Sequence, residues 1–239
     1  MNLKSSLPVG ILFPMEFEAK PIWKKLPGTS APHAGLETKR GFWKGTAVIT
    51  ARIGMGRPGL DKQVGSWLSK NPVRALILAG LGGALDSAWE EGDMTVHHPE
   101  AWPDFLQYVK SRPSLRTAKW HTAKEIIATG PAKLDLGRKT GCGIVEMEWD
   151  YVAEACREHN IPLVGIRAVS DNSDRPLPAA DLLLLGCDRE TGKTTPGKMA
   201  AHLVFRPWRL KDLIPTALTC AHARNEMARE LMGFLDQLS

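Results

Sequence analysis

The chain predicts an α/β fold, a mixed and mostly parallel β-sheet enclosed by helices, in a single domain over residues 1–239. Three observations carry this expectation. Short apolar runs bounded by glycine or charge recur along the chain, amphipathic stretches follow several of them, and 43% hydrophobic content over 239 residues suffices to bury one sheet on both faces.

Four runs read as strands: Val9–Phe13, Ala47–Ala51, Ala75–Ala79 and Pro162–Val169. Between them, Leu60–Leu68 and Tyr151–Glu158 carry apolar residues at helical spacing, with Pro58 placed as a first-turn proline of the earlier helix. Gly35–Gly45 reads as a hairpin, whereas residues 97–120 show no sustained period. Beyond Asp174 come Pro176 and Pro178, a turn-rich stretch at Asp188–Gly197, and a helix from Leu210 to Leu238 interrupted or kinked near Pro215.

Composition narrows the function. The net charge of +5 comes from 31 basic residues scattered among 26 acidic ones, without the basic block of a nucleic-acid surface, and nucleic acid is not an expected partner. Cys142, Cys156, Cys187 and Cys220 are too widely spaced for a metal clip or redox pair and lie among apolar neighbours, as reduced core thiols of a cytoplasmic protein do. Leu7–Met15 is too short to span a bilayer and runs into Glu16 and Glu18 without a cleavage site, and Leu182–Leu185 is shorter still, so no transmembrane segment is expected.

Several motifs point away from common chemistries. Gly54-Met55-Gly56-Arg57-Pro58-Gly59 matches G-x-G-x-x-G, but the acidic residue that would bind a ribose some way downstream is replaced by apolar residues around Ala79. Gly192-Lys193-Thr194 ends like a phosphate loop without the preceding glycine or strand, Cys187 standing where the glycine belongs. His97 and His98 are adjacent, so they point apart in a strand, and no metal or cofactor is expected. There is no G-x-S-x-G elbow.

In an open parallel sheet, ligands collect beyond the carboxyl ends of the strands. The polar residues placed there are Glu16 and Glu18, the Gly54 and Gly56 turn, the Gly80-Leu81-Gly82-Gly83 turn, and Ser170-Asp171; Glu146 and Glu148 lie where a further apolar run meets a helix. Any one of these acids alone reads as a first-turn helix residue favoured by the dipole. Three carboxylates arriving with two glycine turns on one sheet edge read as a site.

Val145-Glu146-Met147-Glu148, followed by Arg167-Ala168-Val169-Ser170-Asp171, resembles the signature of the nucleoside phosphorylase and nucleosidase superfamily, most closely methylthioadenosine/S-adenosylhomocysteine nucleosidase. Met15-Glu16-Phe17-Glu18, Ile53–Gly56 and Gly80–Gly83 resemble other parts of its pattern, and the similarity runs with gaps from Val9 to Asp174. The resemblance implies a sheet closing toward a barrel with helices around it, and cleavage of a purine-type, adenosine-like nucleoside at its N-glycosidic bond. That chemistry requires an acid for the leaving base and carboxylates for the cationic sugar. By similarity Asp171 donates a proton to the base, with burial beside Glu148 to hold that proton. Glu148 holds the ribose hydroxyls over Met147, and Glu18 activates water.

Glu18 and Leu78 stand where bacterial phosphorylases carry phosphate-binding arginines, which favours water as acceptor; Arg52 and Arg57 nearby keep phosphate as the alternative. The base-pocket candidates are Ser170, Thr129, Gly130 and Trp149, with Trp120 as another stacking ring, because no aromatic stands at Thr129-Gly130-Pro131, where the family's stacking phenylalanine is expected. Arg175-Pro176-Leu177-Pro178 and Arg206-Pro207-Trp208 are similar to the tail of hopanoid-associated phosphorylases. That likeness implies a lipid-linked adenosine as an alternative substrate, its apolar group passing Leu203, Phe205 and Trp208. Leu81 and the altered base pocket also keep open a nucleoside-binding protein without turnover. The resemblance implies a homo-oligomer.

Overall fold

The computed structural model describes residues 7–174 and 180–239. Its first strand, β1 (Val9–Phe13), is buried along its whole length, as a central parallel strand must be. Helix α1 (Glu16–Lys25) follows, then β2 (Ser30–His33), β3 (Leu36–Trp43) and β4 (Thr46–Arg52). The expected single hairpin across Gly35–Gly45 is corrected here: β3 fills that span, and the two glycines, at φ +80° and +100°, turn separate hairpins on either side of it. A strand of that length fits because Leu36 and Thr38 face inward, alternating with outward residues.

Helix α2 (Leu60–Lys70) begins after Gly59, whose φ of +84° lets the chain swing into the helix; Pro58 thus lies in the turn before the helix and not in its first turn. Strand β5 (Ala75–Ala84) leads to β6 (Met94–His97), α3 (Pro103–Lys110), β7 (Leu115–Thr117) and β8 (Trp120–Thr122). These last elements are too short for a period to show in the sequence. Helix α4 (Gly130–Thr140), β9 (Ile144–Glu146), α5 (Trp149–Glu158) and β10 (Leu163–Asp171) follow, and the tail holds α6 (Ala180–Leu185), α7 (Pro196–Phe205) and α8 (Leu210–Gln237). Pro215 sits in the second turn of α8 without ending it.

The sheet runs β2-β3-β4-β1-β5-β10-β6-β7, with β9 on the far end of β5 and β8 beside β9. Strands β4, β1, β5 and β10 are mutually parallel, and β6 is antiparallel to β10. β7 and β8 are one bent strand interrupted at Ala118-Lys119, where the Ala118 N–H bonds Val96 O at 3.1 Å and Lys119 O accepts from Gly143 N–H at 3.0 Å. The ring β5-β10-β6-β7/β8-β9 therefore closes back on β5, which is the barrel-like closure expected from the sequence.

Alternation along β1, β5 and β10 divides the core. Val9, Ile11, Ile77, Ala79, Val164 and Ile166 pack under α1, α3 and α8, while Leu12, Leu76, Leu78 and Val169 pack toward α2 and α5. Gly165 is where the ring needs space: a Cβ there would lie 2.5 Å from the Trp120 ring and 2.9 Å from that of Trp149. Gly165→Ala is expected to cost about 2 kcal/mol through overpacking. Urea unfolding checks this, and an unchanged midpoint would show that the two rings yield freely.

Candidate active site

The carboxyl ends of β1, β5 and β10 open into a cleft of about 840 Å³ that also takes β9 and the tail into its walls. At its base lies Arg167 on β10, only 1% exposed. Its Nη2 donates to Glu146 Oε2 and to Glu148 Oε2, both at 2.8 Å, and its Nη1 donates to Leu81 O at 3.1 Å. The guanidinium also lies 5.7 Å from the Trp120 ring, so it sits inside the strand ring. Gly80 is opposite Arg167 in the β5–β10 register, and a Cβ there would overlap Arg167 Nη1 and approach Glu18 Oε1 to 2.9 Å. Glycine is required there because two charged side chains meet over it.

Glu18 is the third residue of α1 and reaches back to the Met15 N–H at 2.9 Å, one half of a capping box. Its other oxygen accepts the Leu81 N–H at 2.7 Å. Burial raises its pKa, against the pull of Arg167 and of those two backbone donors. Glu148 caps the start of α5 and accepts the Gly56 N–H at 2.9 Å. Gly56 is pressed against the Met147 backbone, which leaves no room for a side chain. Burial pushes the Glu148 carboxyl up to about 7, Glu146 and Glu18 adding to the shift and Arg167 opposing it. Glu146 is fully engaged: Oε2 accepts the Glu148 and Trp149 N–H groups at 2.8 and 2.9 Å, and Oε1 accepts the Thr122 hydroxyl at 2.6 Å.

Asp171 stands at the end of β10, beyond Arg167. The β5–β10 register shifts between Val169 and Asp171, and this bulge turns both Ser170 and Asp171 into the cleft. The Ser170 hydroxyl donates to Asp171 Oδ1 at 2.6 Å. Asp171 Oδ2 is ion-paired with Lys133 Nζ, which also donates to Asn172 O at 2.7 Å. The sequence reading had burial beside Glu148 govern Asp171; the group in contact with it is instead the buried ammonium of Lys133, from α4.

The structure thus brings Glu18, Leu81, Gly82, Met147, Glu148, Ser170 and Asp171 to one cleft. Gly54, Gly56 and Gly80 lie behind it as backbone supports. Thr129, Gly130 and Trp149 do not line it. Thr129 is the N-cap of α4, and Gly130 packs on the Ser173 and Asp174 backbone. Trp149 instead joins His97, His98 and Trp120 in a ring cluster, 4.6 Å from His97 and 5.5 Å from Trp120. Glu125, Ile126, Ile127, Val145 and Met147 supply a further part of the cleft lining, and among the described residues lining the cleft there is no aromatic ring.

Arg167, Glu146, Lys133 and the Glu125–Ile127 wall were not singled out as site residues from sequence. The first two lie inside the quoted motifs, but Lys133 carries no motif. Cys187 and Cys220, read as core thiols, line the cleft with Leu184 and Met55. Among the described residues no group of acids, histidines and cysteines is arranged to hold a metal, and the cation among the three glutamates is Arg167.

The loop after α6 is latched to the sheet edge. Arg52 Nε donates to Thr191 O at 2.6 Å, the Thr194 N–H bonds Glu16 at 2.8 Å, and the Met55 N–H bonds Arg189 O at 2.8 Å. Gly54 gives the Glu190 backbone its space. Arg52 is committed to this latch and Arg57 to Gln63, and neither lines the cleft.

Residues 101–185 match the sequence model of the Phosphorylase superfamily. Solved structures with the same fold include futalosine hydrolase of Helicobacter pylori, with 17% identity, a TM-score of 0.71 and 97% of this chain matched to 98% of that one. The methylthioadenosine/S-adenosylhomocysteine nucleosidase of Colwellia psychrerythraea in complex with adenine gives 16% identity, a TM-score of 0.70 and coverage of 97% and 96%. The corresponding nucleosidase of S. pneumoniae with a transition-state inhibitor gives 17%, 0.69, and 98% and 100%. The resemblance read from Glu146–Glu148 and Arg167–Asp171 is borne out in the family match and in the fold.

Two measurements probe the charges. Glu148 takes up a proton near pH 4.5 when unfolded but near 7 when folded, so its contribution to stability is full below about 4.5 and is lost as pH rises through about 7. Glu148→Gln is expected to flatten the pH dependence of urea-unfolding stability in that window by on the order of 2 kcal/mol, and a profile parallel to that of the unaltered chain would refute it. Lys133→Met is expected to cost about 3 kcal/mol by stranding a buried carboxylate, and part of that loss is recovered in Lys133→Met/Asp171→Asn. Strictly additive single effects would show that the two groups are not coupled.

Proposed function

We propose that this chain cleaves the N-glycosidic bond of a purine-type, adenosine-like nucleoside and releases the free base, with water as acceptor. The observation that carries the reading is the convergence of Glu18, Glu148 and Asp171 in one cleft, the two glutamates beside a buried guanidinium. Breaking a ribosyl bond puts positive charge on the sugar and negative charge on the base. Glu148 and Glu18 supply the anionic wall for the sugar, and Asp171, at the end of β10, faces the base.

In this reading Glu148 accepts the ribose hydroxyls with Met147 beneath the sugar, and Glu18 takes the proton of the attacking water. Burial raises the pKa of Glu18, which makes its carboxylate a stronger base for that task. Asp171 serves the base, with Lys133 and Ser170 fixing the orientation of its carboxyl group and the Lys133 ammonium offsetting negative charge that develops on the departing ring. The neighbours of like fold, futalosine hydrolase and the methylthioadenosine/S-adenosylhomocysteine nucleosidases, support hydrolysis of a nucleoside.

Water is favoured over phosphate on electrostatic grounds. The guanidinium lining the cleft is already bonded to Glu146 and Glu148, and Arg52 and Arg57 are engaged elsewhere. A phosphate dianion there would face Glu18 without a free cation opposite it among the described residues. The lipid-linked substrate draws no support from the cleft: Phe205 and Trp208 do not line it, and Arg175–Pro178 lie outside the described residues.

Free-base release from adenosine, methylthioadenosine, S-adenosylhomocysteine, inosine and futalosine, each with and without phosphate, tests the proposal. The expected result is release without phosphate, reduced about 100-fold or more in Asp171→Asn and in Glu18→Gln. Strict dependence on phosphate would replace the hydrolase with a phosphorylase, and tight nucleoside binding without release would leave a binding protein.

A further inference from the structure

Apolar side chains are concentrated on the surface at one corner of the tail. Val204 and Phe205 close α7 at 76% and 78% exposed, and Trp208 in the short turn before α8 is 62% exposed. The outer face of α8 continues the patch with Leu210, Ile214 and Leu218, spaced four residues apart and so aligned on one side over about 12 Å. The inner face of the same turns, Leu213, Thr216 and Cys220, is buried against the protein. The first turns of α8 are therefore apolar on both sides, and packing among the described residues does not account for the outer stripe.

Along this segment basic residues outnumber acids, and Asp188 from the loop after α6 lies within electrostatic reach of Lys198. From Pro196 to Leu218 the chain carries Lys198, Arg206, Arg209 and Lys211 against the single acid Asp212, which pairs with Arg209 at 3.4 Å. An exposed Trp and Phe with aliphatic neighbours and a basic rim match the interfacial zone of an anionic bilayer, where rings sit at headgroup depth and Lys and Arg meet the phosphates. A second copy of the chain fits less well, because a two-fold contact would bring the same basic rims face to face. Among the described residues no helix is long and apolar enough to cross a membrane, so the attachment is to the surface.

We infer that the α7–α8 corner is a docking surface for an anionic lipid membrane, with Phe205, Trp208 and Ile214 entering the headgroup region and Lys198, Arg206 and Lys211 facing its charge. This surface stands apart from the cleft, and the inference does not depend on the reaction proposed above.

Co-sedimentation of the full chain with vesicles rich in phosphatidylglycerol, compared with pure phosphatidylcholine, tests it. Binding is expected to the anionic vesicles alone and to weaken as salt rises. Phe205→Ser/Trp208→Ser is expected to weaken it about tenfold or more without changing thermal stability or turnover of any soluble substrate, and Arg206→Glu/Lys211→Glu to weaken it similarly. Absence of binding to anionic vesicles at low salt would overturn the inference. So would a dimer in solution that Phe205→Ser/Trp208→Ser converts to a monomer, since the corner would then be covered by a second copy.

Discussion

The site is organised around a single buried cation. Arg167 is surrounded by Glu18, Glu146 and Glu148, and placing so many ionisable groups out of water costs several kcal/mol per charge unless each is bonded. The surrounding backbone is arranged to meet that requirement. Leu81 gives its carbonyl to Arg167 and its N–H to Glu18, so the backbone of one residue of β5 serves both signs of charge. Glu146 receives the first amides of α5, which docks the positive end of that helix onto the cluster. Gly80 and Gly56 are fixed by the same arrangement, the one by crossing side chains and the other by the Met147 backbone.

One guanidinium does not neutralise three carboxylates. Among the described residues no further cation is in contact with the cluster, and burial raises the pKa of both Glu18 and Glu148. The two acids differ in their partners. Glu148 shares the arginine directly, whereas Glu18 is bonded through both oxygens to backbone N–H groups and feels Arg167 at a distance. Asp171 belongs to a different electrostatic unit, since its own buried ammonium comes from α4. The cleft therefore has one part that is short of positive charge and one that carries its own counter-ion, which is the asymmetry a bond separating into cationic and anionic halves calls for.

How much of this was legible follows from the physics of each element. β1 is continuous and fully buried, so its bounds could be read directly from the sequence, and the carboxylates after the parallel strands could be assigned to one edge because parallel strands end on the same side. The ring closure through β7 and β8 left no pattern, since strands of three residues have no room for alternation. Thr129-Gly130 look in the sequence like a turn beside a pocket, but they cap α4 and pack on the Ser173–Asp174 backbone. Lys133 was hidden for a sharper reason. Hydropathy puts Leu134 inside and Lys133 outside, and the structure has the reverse, with Leu134 36% exposed and Lys133 fully buried. A pairing with Asp171, far off in sequence, decides that inversion, and no local rule anticipates it.

The cleft divides into parts under different constraints. Its bonded charged groups sit on β9, the start of α5, β10 and the first turn of α1, inside a web of bonds that tolerates little change. Its apolar side comes from Leu184, Cys187 and Cys220 in the tail, held to the sheet edge by Arg52, Glu16 and the space at Gly54. Those attachments are largely to backbone atoms of the loop, the carbonyls of Arg189 and Thr191 and the N–H of Thr194, so they fix where the loop runs without fixing its side chains. Side chains in the tail can therefore change the shape and polarity of the apolar wall while the Arg167 cluster stays in place. A scaffold built this way separates the charged cluster from the apolar wall, and the second can vary without disturbing the first.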